Sequence, residues 1–554
     1  MHRALLLALL PPACAAEPGY ADPATCRLCH PKIFESYSNT AMARSFAKVK
    51  AVPPLTEFRH QASARFYSVV DRAGTHYMRR VQAGGVNVIE KRIDYAIGSG
   101  NHSKTYLTTG EGGRFLELPV SWYAEGGGAW FMSPGYDRPD HSDFRREVPD
   151  SCLFCHNGYP SQANQGIASG IDCQRCHGPG EAHARGKGSI INPAKLSSDR
   201  QLEVCLQCHL ESASRTLPDS IRRFERTPFS YRPGQPLGDY MLYFDFIKPA
   251  SDDRITVNNS AYGLMRSQCF LRSAGKLRCT TCHNPHETKT GAAAERQYTQ
   301  ACRGCHQTQH EASTRNCAGC HMQKRRTEDA VHVVLTDHFI RRRPLEQDLT
   351  APLAERHDRM SGPVKLLYPR SLPDTPETRL YMAITQADTP ALEDAIAATK
   401  AKHPEPYIAL AEAYRKSGDE RKAIANYQRA IDLGPNDARS YAALADLLLG
   451  AGEVQRAIAI LAPAVGRMPE DASLLNGLSV LYSRQQRFQD ALGLLSKAVR
   501  IHSDDPLSWL NLGVCLEATG DRKGAEAAYR QAIVLQPDFA RARQYLDRIS
   551  KDKF

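Results

Sequence analysis

The chain has 554 residues, which is long enough for two or three domains. Of its residues, 42% are hydrophobic and 24% are charged, a composition typical of a globular protein. The 17 cysteines are an unusually high count. Disulfide scaffolds are small proteins, so the length of the chain argues against one. The formal charge of +11 does not lead us to expect a nucleic-acid partner, because the N-terminus indicates export.

Residues 1–16, within "MHRALLLALLPPACAAEP", have the features of a secretory signal peptide. Arg3 precedes a short apolar run, and small residues follow from Ala13 to Ala16. Two interpretations of Cys14 are open. It fits a small-x-small cleavage pattern, or it carries an N-terminal lipid anchor, although Pro stands where a lipoprotein usually has Leu. No later stretch is apolar enough for a transmembrane span, so we predict a bacterial periplasmic or otherwise exported protein, with tethering as a lipoprotein as the alternative.

Fourteen of the cysteines form seven CxxC pairs, and a histidine follows each pair. We number these motifs 1 to 7 in chain order. Their cysteines are Cys26 and Cys29, Cys152 and Cys155, Cys173 and Cys176, Cys205 and Cys208, Cys279 and Cys282, Cys302 and Cys305, and Cys317 and Cys320. Their histidines are His30, His156, His177, His209, His283, His306 and His321.

This spacing is the one that covalent haem attachment needs. The two thiols form thioether bonds to the haem vinyl groups, and the next residue binds the iron from the proximal side. Zinc is the alternative for paired cysteines, but seven is an odd number of pairs, and zinc gives no reason for a histidine after each one. We therefore predict about seven covalently bound haem c groups between residues 17 and 345.

A cysteine-free stretch separates motif 1 from motif 2. It contains alternating segments such as "RFYSVV" and "RFLELPVSWY" between glycine-rich turns, and this alternation predicts antiparallel strands. We expect a small β-rich insert at about residues 55–135 within the haem region.

The ligand on the distal side of each iron decides whether a haem only carries electrons or can also bind a substrate. Candidates from sequence context are His102, His183, His286, His332 and His338, which lie in loops or close to a motif. His286 follows motif 5 through an Asn-Pro turn in "CTTCHNPH", so we expect it to bind the iron of a neighbouring haem. The histidines that we interpret as ordinary surface or hydrogen-bonded side chains are His60, His76, His141 and His310.

Residues 346–376 are rich in charge and proline and predict a linker before a C-terminal region at 377–554. That region contains 34-residue blocks at 404–437, 438–471, 472–505 and 506–539, whose small and aromatic positions match tetratricopeptide repeats, followed by a capping helix at 540–554. Such arrays form all-α solenoids that bind proteins and have no chemistry of their own. We expect redox partner proteins to dock on it.

The haem region resembles multihaem c-type cytochromes, the class that includes the tetrahaem cytochrome of ammonia oxidisers. "CRLCHPKIFESYSNTAMARSF" is similar to that family's first unit, with Met42 where the family has a distal histidine; Met42 is either a ligand or a packing residue. "IDCQRCHGPGEAH" resembles a family motif whose distal histidine corresponds to His183, and "CTTCHNPH" resembles the doubled-CxxCH cytochromes.

The sequence therefore predicts a mixed fold: a haem-packed region with few regular elements and a small β-rich insert, followed by a repeat solenoid. The expected function is electron transfer through about seven haems. The alternative is an oxidoreductase in which one haem has an open distal side and acts on a small nitrogen or sulfur compound. The sequence identifies no catalytic residue.

Overall fold

A computed structural model describes residues 19–110, 113–159, 169–211, 220–227, 229–247, 254–306, 316–356, 362–434 and 437–551. The predicted signal peptide, Cys14 and His310 lie outside these residues. No helix in the described part of the chain is both long and apolar enough to cross a membrane.

Eleven helices, most of them short, are described in the first two-thirds of the chain, and every CxxCH motif lies on one of them or at its end. They are α1 (Cys26–Cys29), α2 (Pro31–Ser38), α3 (Asp150–His156), α4 (Gln174–His177), α5 (Glu181–Ala184), α6 (Ser198–His209), α7 (Ser260–Arg266), α8 (Gln268–Arg272), α9 (Cys279–Cys282), α10 (Gly291–Arg303) and α11 (Cys317–His321). Residues three apart share one face of a helix, so the two thiols of a motif lie side by side.

The β-rich insert consists of two antiparallel sheets, as the alternating sequence predicted. Its strands, with one strand that precedes the expected boundary, are β1 (Phe46–Lys48), β2 (Phe58–His60), β3 (Arg65–Arg72), β4 (Thr75–Gln82), β5 (Val86–Arg92), β6 (Tyr95–Ile97), β7 (Ser103–Thr109), β8 (Phe115–Glu117), β9 (Val120–Tyr123) and β10 (Ala129–Met132). One sheet has the order β1-β6-β7-β9-β10 with β8 beside β7, and the other has the order β2-β3-β4-β5.

Two smaller sheets complete the region. They comprise β11 (Ser220–Arg222), β12 (Met241–Phe246), β13 (Lys324–Arg326), β14 (Val334–Thr336) and β15 (Val364–Tyr368). The order β11-β12-β15 corrects our expectation of a plain linker at 346–376, because β15 lies in that segment and pairs with β12. Val364 and Tyr368 are buried, which gives this proline-rich segment enough apolar contact to order a strand.

The C-terminal third is the predicted all-helical repeat solenoid. Its helices are α12 (Pro376–Gln386), α13 (Thr389–Thr399), α14 (Pro404–Ser417), α15 (Glu420–Asp432), α16 (Ala438–Gly450), α17 (Val454–Arg467), α18 (Ala472–Arg484), α19 (Phe488–Ile501), α20 (Pro506–Ala518), α21 (Arg522–Leu535) and α22 (Ala540–Lys551). Helix pairs begin at Pro404, Ala438, Ala472 and Pro506, where the repeat pattern begins in the sequence.

The solenoid contacts the rest of the chain near both of its ends. At the first end, Phe224 packs against Tyr381 and His403, with ring centroids 4.5 Å and 4.8 Å away. At the other end, Arg80 of the insert donates from Nη2 to the carbonyl of Val534 at 2.9 Å. That carbonyl lies in the last turn of α21, where it has no partner within the helix.

Arg80 also belongs to a buried polar network inside the insert. Its Nε donates to Asp143 at 2.9 Å, and Tyr67 donates to the same carboxylate at 3.1 Å. His141 lies beside Arg65, and burial, reinforced by the Arg65 charge, lowers the pKa of His141 to about 2. The histidine is therefore neutral in the folded insert at any physiological pH.

A pH dependence of stability follows from His141. Unfolded, it takes up a proton below about pH 6.5, whereas the folded state cannot, so acid favours unfolding. We expect this one group to lower the free energy of unfolding by about 2 kcal/mol when the pH falls to about 5. His141→Gln should lack this contribution to the pH dependence of the unfolding free energy. Guanidinium unfolding followed by tryptophan fluorescence at both pH values measures it, with His76→Gln on strand β4 of the insert as the control. Equal slopes in all three proteins would contradict the assignment.

The repeat packing gives a second prediction. A Cβ added at Gly513 would lie 2.5 Å from the ring of Tyr529, whereas one added at Gly493 would meet nothing within 4 Å. Gly513→Ala should therefore destabilise the solenoid by about 1–3 kcal/mol, and Gly493→Ala should stabilise it by about 0.5–1 kcal/mol. Thermal unfolding followed by far-UV circular dichroism compares them, and equal effects would contradict the close approach of α20 and α21.

Candidate functional site

Three pairs of histidine rings are placed as axial ligands of one metal would be. His30 lies 6.4 Å from His183, His177 lies 5.9 Å from His286, and His283 lies 6.1 Å from His338, measured between ring centroids. A metal-bound imidazole nitrogen lies about 2.0 Å from the metal, so two rings on opposite sides have centroids about 6 Å apart. Each pair joins a proximal histidine to a distal candidate.

The tautomers of several of these rings suit iron binding. Nδ1 of His177 lies 2.8 Å from the carbonyl of Ile191, and Nδ1 of His338 lies 3.0 Å from that of Thr336. A carbonyl only accepts, so Nδ1 must carry the proton, which leaves the Nε2 lone pair free in the neutral ring. His321 makes the same bond to Arg341, at 2.7 Å.

Burial shifts several of the histidines toward the neutral form. It lowers the pKa of His283, His286 and His338, and the neighbouring His177 lowers the pKa of His286 further. Burial also lowers the pKa of His156, whose Nδ1 lies 3.2 Å from the carbonyl of Ser45. Only the unprotonated imidazole can donate its lone pair to iron, so these lowered pKa values favour the binding form of the four rings.

The remaining distal candidates are placed differently. His332 lies flat against Phe131, with ring centroids 3.8 Å apart and planes 10° apart, so it contacts the insert rather than a motif histidine. His102 lies in the loop between β6 and β7, where burial and then Lys324 lower its pKa. Met42 is half-buried, and its carbonyl accepts from Ile171 just before motif 3.

The histidines interpreted from sequence as ordinary side chains make ordinary contacts where they are described. His60 bonds to Ser63 at 2.7 Å and to Asp137 at 3.1 Å, and His76 pairs with Asp71 at 3.1 Å. His141 lies in the buried network of the insert.

Cysteines of different motifs contact one another. Thiols of motifs 1 and 3, 2 and 4, 4 and 5, and 6 and 7 lie close enough for one to shift the pKa of the other, in the pairs Cys26 and Cys173, Cys155 and Cys208, Cys205 and Cys279, and Cys302 and Cys317. All of these cysteines are free thiols, and they stand for the thioether sulfurs of a loaded protein. Neighbouring attachment points therefore lie near one another.

Two further contacts join the motifs that the thiols leave separate. Gln207 beside Cys208 donates to the carbonyl of Arg175 at 3.2 Å, which links motif 4 to motif 3. Gln297 of α10, the helix that ends in motif 6, donates to the carbonyl of Cys282 at 2.7 Å, which links motif 6 to motif 5. The motifs thus form one connected order, 1-3-4-5-6-7, with motif 2 beside motif 4 and also in contact with motif 3.

These features fit haem c. The paired histidines supply axial nitrogens at the right separation, and each motif supplies two adjacent thiols. The carbonyls of Ile191, Thr336 and Arg341 are functional groups that sequence reasoning missed, and no sequence signal could have found them because every residue has a carbonyl. Arg175, between the cysteines of motif 3, was also missed.

Comparisons with known proteins agree with this chemistry. The doubled CXXCH motif matches residues 273–311, and the tetratricopeptide repeat matches residues 404–447, 442–506 and 476–540. The multiheme cytochrome MtrA of Shewanella baltica (strain OS185) is 24% identical over 180 residues, covering 28% of this chain and 52% of the relative. The chain therefore spans about half the length of the curated relative it matches.

Similar solved structures include tetratricopeptide-repeat proteins. The tetratricopeptide-repeat protein YrrB is 16% identical, covering 30% of this chain and 87% of its own, with a TM-score of 0.27. MamA from Desulfovibrio magneticus RS-1 is 18% identical, with 31% and 99% covered and a TM-score of 0.27. TTC0263 of Thermus thermophilus is 21% identical, with 31% and 95% covered and a TM-score of 0.25.

The histidine pairs predict the effect of a single substitution. His286→Ala removes the ring opposite His177 without touching a thiol, so we expect one haem to lose a strong axial ligand while the number of bound haems stays unchanged. Electron paramagnetic resonance should show a new high-spin signal, and the pyridine haemochrome assay counts the haems. His332→Ala is the comparison, since that ring packs on Phe131. Unchanged ligation in His286→Ala would contradict the pairing.

Proposed function

We propose that this chain, which combines doubled CxxCH motifs with tetratricopeptide repeats, is an exported multihaem c-type cytochrome that transfers electrons. The contact between neighbouring motifs carries the proposal, because it brings all seven attachment points into one connected set. Haem iron supplies one-electron chemistry when it is bound. Export agrees with the sequence at residues 1–16 and with covalent haem attachment, which takes place outside the cytoplasm.

The polypeptide has three tasks in this proposal. The CxxCH helices fix the attachment points, and the carbonyls of Ile191, Thr336 and Arg341 orient the imidazoles. Burial lowers the pKa of His283, His286 and His338, which favours the neutral form that binds iron. These tasks need no acid or base, in agreement with a sequence that identifies no catalytic residue.

The order of the motifs predicts a route for electron transfer. Electron transfer would follow motifs 1, 3, 4, 5, 6 and 7, with motif 2 as a side branch at motif 4. His286 supports the route, since it follows motif 5 in the chain but faces His177 of motif 3. His338 likewise follows motif 7 and faces His283 of motif 5.

The repeat solenoid supports a docking role for redox partners. Its ends pack against the haem region and the insert, as the contacts of Phe224 and Arg80 show. A partner bound along the remaining surface would thus be held at a fixed place relative to the motifs. Repeat arrays bind proteins by this kind of extended surface.

The first experiment counts and classifies the haems of the purified holoprotein. We expect about seven haems per chain by pyridine haemochrome assay and intact mass, cleavage of the signal peptide, and low-spin spectra. A count well below seven would contradict the proposal. A high-spin haem that binds nitrite or hydroxylamine would favour the alternative of a haem-dependent oxidoreductase on a small nitrogen or sulfur compound.

The route has a sharper test with a matched control. Cys279→Ala with Cys282→Ala removes the attachment point in the middle of the order, whereas Cys152→Ala with Cys155→Ala removes the side branch. After a flash of photoreductant, we expect haem reduction to become biphasic in the first variant and to stay single-phase in the second. The same kinetics in both would refute the order.

A further inference from the structure

Arg175 is a buried cation at the meeting point of three haem motifs. It lies between the cysteines of motif 3 and is 1% exposed. Its Nη2 donates to the carbonyl of Phe154 in motif 2 at 2.9 Å and lies 3.7 Å from Sγ of Cys208 in motif 4. The guanidinium also lies over the ring of Phe154 at 4.3 Å and that of Tyr159 at 4.7 Å.

No carboxylate forms an ion pair with Arg175 among the residues that the structure describes. Nε and Nη1 of Arg175 have no hydrogen-bond partner among those residues. The nearby carboxylate of Asp172 accepts instead from the backbone N–H groups of Gln174 and Arg175, at 2.9 Å and 3.2 Å. Burying an uncompensated cation is costly, so its retention here calls for an electrostatic reason.

We infer that Arg175 is a tuning residue that raises the reduction potential of a haem where motifs 2, 3 and 4 meet. Reduction of ferric haem adds one negative charge, which a nearby fixed cation stabilises, and a poorly solvated interior strengthens that interaction. The nitrogens Nε and Nη1, which have no partner among the described residues, are also available to a carboxylate of a bound haem. The inference rests on the proposed relay, in which this junction would then hold electrons more strongly than the ends of the route.

The test compares two arginines that each lie inside a CxxCH motif. Arg175→Met removes the buried charge, and Arg303→Met removes an exposed one from motif 6. In spectroelectrochemical titrations of the holoproteins, one haem of Arg175→Met should have a reduction equilibrium constant at least tenfold smaller than in the unaltered protein. For one electron this lowers the potential by about 59 mV. The haem count should be unchanged, and Arg303→Met should shift no haem by a comparable amount.

Two further variants keep the inference falsifiable. Arg175→Gln is a polar neutral replacement that carries the test if the methionine variant does not fold. Arg175→Lys keeps the charge and should keep the potential near its original value. The inference is overturned if the neutral variants shift no haem more than Arg303→Met does, or if lysine lowers the potential as much as methionine. Too few haems in the unaltered protein would instead refute the proposed relay, before any potential is compared.

Discussion

Contacts between haem motifs are the constraint on which the first two-thirds of this chain depends. The region has short helices and small sheets, and its buried apolar side chains form several separate clusters. Between these clusters, the pairing of His177 with His286 and of His283 with His338 joins distant segments, and thiols of neighbouring motifs lie close together. Each pair joins chain segments that are far apart in sequence, so the ligand set and the tertiary fold specify each other.

The insert and the solenoid contact each other and the haem region, and these contacts stabilise the arrangement. Arg80 serves both, because one guanidinium neutralises the buried Asp143 and also satisfies the last turn of α21. Phe224 performs the equivalent apolar role at the start of the solenoid, between Tyr381 and His403. A relay needs fixed distances between its centres, and these contacts restrict the motion of the repeats against the insert and the haem region.

Burial acts differently on the side chains of histidine and arginine. Burial lowers the pKa of His286 and His338, which favours the neutral form that a metal ligand needs. Arg175 cannot lose its proton in the same way, so burial leaves a fixed positive charge next to motifs 2 and 4. The same desolvation thus favours a neutral side chain at some positions and retains a fixed charge at another.

The chemistry and the class of fold could be predicted from residue type and spacing. Seven CxxCH motifs indicate haem c because thioether attachment fixes their local spacing, and the 34-residue period predicts the solenoid because each repeat must pack on its neighbours. Alternation likewise predicted the β-rich insert. These features are local, so a short stretch of sequence is enough to recognise each of them.

Which motifs and histidines meet became clear from the three-dimensional packing alone. Sequence context selected His183, His286 and His338 together with His102, His332 and Met42, and nothing local separates the first three from the others. The strand at Val364–Tyr368 escaped notice for the same reason, since its partner β12 lies over a hundred residues earlier. Ligand pairing, motif order and the burial of Arg175 depend on long-range packing, which local spacing does not encode.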